Sequence, residues 1–224
     1  MSAVFVTGTG TDVGKTFVAA ALIRILRARG RSVEALKPVA TGFDLGLLDG
    51  SDSGILLAAL GRPATPEMLD RVSPWRYAAP LSPDMAAQRE GRALDFDTLV
   101  ASTRRATATA QDVLLIEGIG GVMVPLDERH TVLDWISALG CPVLLVGGSY
   151  LGGLSHALTA LAVLAARNLK VLAIVISETP DGIDLTATVA TVARFAGGVP
   201  IIGLRRMEDA LSLPDALQAA ADLL

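Results

Sequence analysis

The chain is poor in several things. Of its 224 residues one is cysteine, Cys141, two are histidine, and aromatics make up only 4%. A lone cysteine excludes an intramolecular disulfide, and one cysteine with two histidines leaves no cluster at metal-ligand spacing. It also suits a reducing compartment. Long apolar runs are missing: stretches such as Ala160–Ala166 fall far short of the roughly 20 residues a membrane helix needs. There is no basic excess, since the formal net charge is −4, so no general affinity for nucleic acid or anionic membranes is expected. No basic leader precedes the first strand-like segment. These absences together predict a soluble cytoplasmic protein with no membrane or nucleic-acid partner.

What is present is aliphatic: hydrophobic residues make up 51%, mostly Ala, Leu and Val. Short apolar segments read as strands at Val4–Thr7, Val33–Lys37, Val113–Glu117, Val143–Val146, Val171–Ile176 and Pro200–Gly203. Helical patterns fall between and after them, at Thr16–Ala28, Asp52–Leu60, Pro66–Val72, Ser82–Gly91, Phe96–Ala108, Thr131–Leu139, Leu154–Arg167, Leu185–Ala196 and Pro214–Leu223. Alternation of this kind predicts an α/β fold with a doubly wound, mostly parallel sheet flanked by helices in three layers. No repeat, low-complexity tract or linker interrupts it, so residues 1–224 read as a single domain. The least regular stretch is Phe43–Pro80, expected to form surface loops and short helices.

The most informative segment is Val4–Thr16, VFVTGTGTDVGKT. A strand leads into a Gly-rich turn, then Gly14-Lys15-Thr16, then a helical pattern from Phe17. Such a turn aims backbone N–H groups and a helix N-terminus at phosphates, its Lys reaches the outer phosphates, and its Thr hydroxyl suits Mg²⁺. The common pattern needs Gly five places before Gly14, where this chain has Thr9; Gly8 lies six before, so the loop is lengthened.

Ligands of open α/β sheets bind at the carboxyl ends of strands, so the residues just after each strand are the candidates. After the second strand comes Lys37-Pro38-Val39-Ala40-Thr41-Gly42. A Lys at the end of a buried strand calls for an anionic partner, and Thr41 could offer a hydroxyl to the same space; a solvated Lys on an edge strand is the alternative. After the third comes Glu117-Gly118-Ile119-Gly120-Gly121. A carboxylate closing an aliphatic strand resembles the acidic group that holds Mg²⁺ in nucleotide sites, with Glu where Asp is usual. Asp52 stands at a helix start, where a capping role is the ordinary reading. The glycines before Leu154 place another helix N-terminus that could receive a carboxylate. His156 reads as packed, His130 as a solvated loop residue, and Asp134-Trp135 as structural.

Together these segments resemble the dethiobiotin synthetase family over almost the whole chain. The long loop Gly8–Thr16, the Lys37–Gly42 and Glu117–Gly121 motifs, Pro125-Leu126, Asp134-Trp135 and Leu151–His156 carry the resemblance. It implies a P-loop NTPase-like ligase that joins 7,8-diaminononanoate and CO₂ (or bicarbonate) at the expense of ATP or another nucleoside triphosphate. It implies that Lys15 and Lys37 act on the transferring phosphoryl group, with Thr11 beside them. Asp12, Val13, Gly14, Lys15, Thr16, Phe17, Glu117, Gly118 and Gly120 would hold the nucleotide, with Ser177 and Glu178 at its base. Thr16, Asp52 and Glu117 would hold Mg²⁺. Thr41 and the Gly152, Gly153, Leu154 and Ser155 backbone would hold the substrate, the latter group reaching in from the partner of a homodimer.

The chain departs from the family pattern at Gly10, where an acidic residue is common, and at Ser155, where Asn is. It departs also at Ser177-Glu178, where an Asn often reads adenine, so use of other nucleotides is expected. A second function class shares the long loop: nucleotide-switched partitioning or positioning ATPases that act through protein partners. Those typically carry an early loop Lys, whereas here the early positions are Thr9 and Gly10.

Overall fold

A computed structural model describes residues 2–206 and 214–224. The main sheet contains β1 (Ser2–Gly8), β2 (Val33–Leu36), β5 (Val113–Glu117), β6 (Val143–Gly148), β7 (Val171–Ser177) and β8 (Ile201–Leu204) in the spatial order β2-β5-β1-β6-β7-β8. Every pairing is parallel. The strand order reverses at β1, which places the turn after it at a switch point where such sheets bind ligands.

Side chains alternate along these strands and so split the core in two. Val4 and Val6 face one side, Phe5 the other; Val113 and Leu115 face one side, Leu114 and Ile116 the other. The first face is covered by α1 (Lys15–Ala28), α2 (Asp52–Ala59) and α9 (Ala216–Ala221). The second is covered by α4 (Pro83–Arg89), α5 (Phe96–Thr109), α6 (Val132–Leu139), α7 (Gly153–Ala166) and α8 (Leu185–Phe195). With strands buried on both faces, each fully covered Val, Leu or Ile contributes about 1.5–3 kcal/mol. Phe5 meets Trp135 edge to face at 4.8 Å, and the Asp134 carboxylate caps α6 through the Thr131 N–H, so this pair is structural as expected. No helix among the described residues is long and apolar enough to cross a membrane.

The elements match the sequence-based expectation, with shifts at their ends that have local causes. The second strand stops at Leu36, not Lys37, because the Lys37 N–H turns away to the Val72 carbonyl and Pro38 has no N–H to give. The fourth large strand runs on to Gly148, since Gly147 and Gly148 still pair with Ile176 and Ser177. In the irregular region α3 (Pro66–Val72) forms as expected. A small parallel ladder of β3 (Val39–Ala40) and β4 (Trp75–Arg76) was not foreseen. It draws Gly42 to the Ala79 carbonyl and so brings Pro80–Ser82 beside Thr41.

Candidate active site

The loop after β1 folds over its own helix. Gly14 serves as N-cap of α1 with φ +94°, a conformation that favours glycine. A Cβ there would come within 3.0 Å of the Ser177 hydroxyl. Asp12 also holds a positive φ, 56°. Val13 turns its side chain into the core, leaving only its backbone for a ligand, while Phe17 packs at the margin of that core. Lys15 Nζ donates to the Gly10 carbonyl at 2.6 Å. Burial, then repulsion from Lys37, lowers the Lys15 ammonium to about 8.

Lys37 is the centre of the arrangement. It is 2% exposed, and its Nζ donates to Glu117 Oε1 and to the Gly118 carbonyl, each at 2.8 Å. Asp52 Oδ2 lies at the same 2.8 Å. Burial opposes the ammonium, but Glu117 and Asp52 outweigh it and raise the Lys37 pKa. Asp52, half-exposed, is pulled below the usual carboxylate range: burial works against this, and Lys37 and the Thr16 hydroxyl overcome it. The solvated-edge alternative for Lys37 is therefore excluded.

Asp52 does not cap its helix. Ser51 takes that role, its hydroxyl accepting the Gly54 N–H at 3.1 Å, which frees the Asp52 carboxylate to face the loop. Thr16 Oγ1 stands 2.7 Å from both Asp52 Oδ1 and Glu117 Oε1. A hydroxyl has one proton to give, so two ionised carboxylates cannot both receive it. Glu117 Oε2 is buried with no partner. Crowded, under-satisfied oxygens of this kind are what a small hard cation would relieve, so Thr16, Asp52 and Glu117 are the residues that could hold one. No group of three or more His, Cys, Asp or Glu among the described residues offers an all-protein cage.

These groups open onto a cavity of about 610 Å³. Thr11, Asp12, Thr41 and Gly120 line it with Lys15, Thr16, Phe17, Lys37 and Asp52. Pro80, Leu81, Ser82, Ile119 and Val124 line it too and were not anticipated; the first three arrive through the β3–β4 ladder. Gly118 is packed so that a Cβ would lie 2.7 Å from the Phe5 ring, which holds its carbonyl on Lys37. A second cavity of about 450 Å³ adjoins the first, with Thr11 and Val124 lining both. Its far wall is α7, through His156 and Val163.

Two groups of expected site residues lie elsewhere. Gly152, Gly153, Leu154 and Ser155 form the first turn of α7, outside the lysine-lined cavity, with Gly152 at φ +93°. Ser177 ends β7 and Glu178 follows it, the Ser177 hydroxyl buried without a partner beneath Gly14 and Glu178 accepting the Arg206 N–H at 2.9 Å. The histidine expectations are corrected. His156 is exposed and bonded to Tyr150 Oη at 2.8 Å, since it lies on the open side of α7. His130 does lie in a loop, partly exposed, but it stacks on Phe96 at 3.9 Å and bonds to Asp127 at 2.9 Å rather than standing free in solvent.

Residues 2–213 match the family model described as an AAA domain. The chain is 51% identical to the ATP-dependent dethiobiotin synthetase of Caulobacter sp. strain K31, covering 98% of this chain and 96% of that one. It is 52% identical to the enzyme of the same name from Methylobacterium nodulans, over 88% and 90%. The chain belongs to the dethiobiotin synthetase family. Among solved structures it is similar to the MinC:MinD cell division complex of Aquifex aeolicus, with TM-score 0.57 over 93% of this chain and 82% of that one. At 11% identity that likeness shows the P-loop NTPase fold alone.

Proposed function

We propose that this chain catalyses ATP-dependent formation of dethiobiotin from 7,8-diaminononanoate and CO₂, as a ligase forming C–N bonds. One amine takes up CO₂ and loses a proton to give a carbamate. A carbamate oxygen attacks the γ-phosphorus of the nucleotide and the diphosphate leaves. The second amine attacks the carbonyl carbon of the mixed anhydride, loses a proton and expels inorganic phosphate, which closes the ring. No enzyme nucleophile is required; positioning and charge neutralisation suffice.

The observation that carries this reading is the buried Lys37 ammonium, held between Glu117 and Asp52 at the mouth of the loop. It supplies a fixed positive charge where a carbamate and a phosphoryl group would meet. Lys15 would hold the outer phosphates, with the Asp12–Phe17 segment, Gly118 and Gly120 around them. Thr11 and Thr41 would face the reacting end of the diamine. Thr16, Asp52 and Glu117 fit Mg²⁺, because their donors are all oxygen and Glu117 Oε2 lacks a partner. When bound, the ion would neutralise phosphate charge.

The substrate carboxylate would sit at the α7 N-terminus, on the backbone of Gly152–Ser155, contributed by a second copy. The surface of α7 supports a homodimer: the helix is apolar yet half open, and beside it Leu151 is 88% and Met123 56% exposed. The whole chain would act as one cytoplasmic ligase domain. Ser177 and Glu178 would stand at the base end, where neither offers the paired donor and acceptor of an amide, so the reading does not require adenine and CTP and GTP belong in the test.

The test combines purified protein with the diamine, bicarbonate, Mg²⁺ and ATP, CTP or GTP, and measures phosphate release and dethiobiotin. Release no greater than in the diamine-free control would remove the reading.

A further inference from the structure

Ser149 belongs to neither cavity, yet it is 0% exposed, and its N–H, carbonyl and hydroxyl oxygen each have a partner. It comes directly after β6. Its N–H donates to the Ser177 carbonyl at 3.0 Å. Its hydroxyl accepts the Thr179 N–H at 3.1 Å. Its carbonyl accepts the Ile183 N–H at 2.5 Å. One residue thus fastens the end of β7 at one point and the turn after it at two.

The fit around it is close. A Cβ on Gly148 would lie 2.8 Å from the Thr179 hydroxyl, and one on Gly182 would lie 2.5 Å from the Ser149 carbonyl. On its other side the chain enters the first turn of α7, where the Gly153 N–H donates to the Tyr150 carbonyl at 2.8 Å. Ser149 therefore stands between two loops that carry different proposed tasks. The end of β7 and the turn after it, with Ser177 and Glu178, would flank the base end of the nucleotide. The turn before α7 presents the backbone for the substrate carboxylate.

We propose that Ser149 is a positioning residue that ties these two loops into one body, so that nucleotide and diamine bind with coupled affinities. This rests on the ligand placement given above. Because the α7 turn would serve the partner's site, the coupling would run between the two sites of the dimer. Nothing else in the described hydrogen bonds links a side chain of the β6 turn to the β7 turn. Loss of the hydroxyl would let the base-side turn shift against α7 while both backbone bonds keep the fold.

The experiment compares wild type with Ser149→Ala. Wild type should bind the diamine more tightly when a non-hydrolysable nucleotide is present. In Ser149→Ala this enhancement should fall toward onefold, KM for both ligands should rise about threefold to tenfold, the range for one lost hydrogen bond, and kcat should stay within about twofold. Thr103→Val is the control: it deletes a buried hydroxyl bonded to the Leu99 carbonyl in α5, away from both loops. It should lower Tm without moving either KM. If wild type turns over the diamine but shows no coupling, or if Ser149→Ala keeps the full coupling, the inference is wrong. If Ser149→Ala matches Thr103→Val in lowering only Tm, Ser149 is structural and the inference is likewise wrong. If wild type does not turn over the diamine at all, the functional reading itself fails.

Discussion

Replacing Lys37 by Met tests the centre of the site, because the side chain keeps an unbranched stem as far as Cε and loses the charged ammonium. In wild type the ammonium touches Glu117, 1% exposed, and Asp52, both at 2.8 Å. Removing one partner of a buried pair leaves an uncompensated charge and costs about 3–5 kcal/mol. At about 2–4 °C per kcal/mol for a chain of this size, Tm should fall by about 6–20 °C in metal-free buffer. The Lys37 pKa is raised in the folded state, so its contribution is fully present at neutral pH and fades only above the ordinary lysine value of 10.5. The Tm gap should therefore hold from pH 7 to 9. If Thr16, Asp52 and Glu117 hold Mg²⁺ as proposed, the ion should raise Tm more in the variant than in wild type, because two carboxylates without the lysine would then face it. Turnover should fall about 10²- to 10³-fold, the usual cost of one preorganised donor at a developing charge. Nucleotide affinity, which on the proposed reading Lys15 and the loop would supply, should change less than about tenfold. Thermal shift with and without Mg²⁺, a phosphate-release assay and nucleotide titration read these quantities. An unchanged Tm would refute the buried-charge argument. Equal losses in turnover and nucleotide affinity would refute the role at the transferring group.

Gly118→Ala should destabilise by about 1–3 kcal/mol in urea unfolding, because its Cβ would lie 2.7 Å from the Phe5 ring that packs on Trp135. Gly10→Ala meets nothing within 4 Å and should leave stability within about 0.5 kcal/mol. Glu34 is held below the usual carboxylate range, first by the Arg62 hydrogen bonds at 2.5 and 2.6 Å. Its stabilisation is present above the unfolded carboxylate pKa and is lost as pH falls through the lower folded value. Glu34→Gln should therefore lower Tm slightly at pH 7, by less than about 4 °C for a solvent-screened pair, and the gap should narrow as pH falls below the ordinary carboxylate range. Burial pushes the Cys141 thiol up to about 11, so at pH 8 iodoacetamide should label it far more slowly in the native protein than in urea, as mass spectrometry would show.

The strand ends were legible because each chemical motif comes after an aliphatic run. Lys15, Thr16, Lys37 and Glu117 all converge where such runs predict. Asp52 was not legible from spacing. Its place at a helix start favours a cap, and only the Ser51 hydroxyl, by taking the cap, releases the carboxylate. The β3–β4 ladder has two residues per strand, too few for any periodicity, and its contacts bring Pro80–Ser82 to the site from far along the chain. The two histidines misled for a similar reason: Phe96 and Tyr150 decide their surroundings, and neither partner is announced by the residues beside them.

The bonds that define the cradle span 36, 80 and 101 residues of chain. Loops of that length close late in folding, since their entropy must be met before their contacts reward it. A nascent chain can therefore present its loop helix long before it can hold a triphosphate. The nucleotide cannot template the early steps; it acts afterwards, by drawing finished molecules out of the unfolding equilibrium. A shortage of nucleotide should therefore lower the population of finished molecules without slowing their formation.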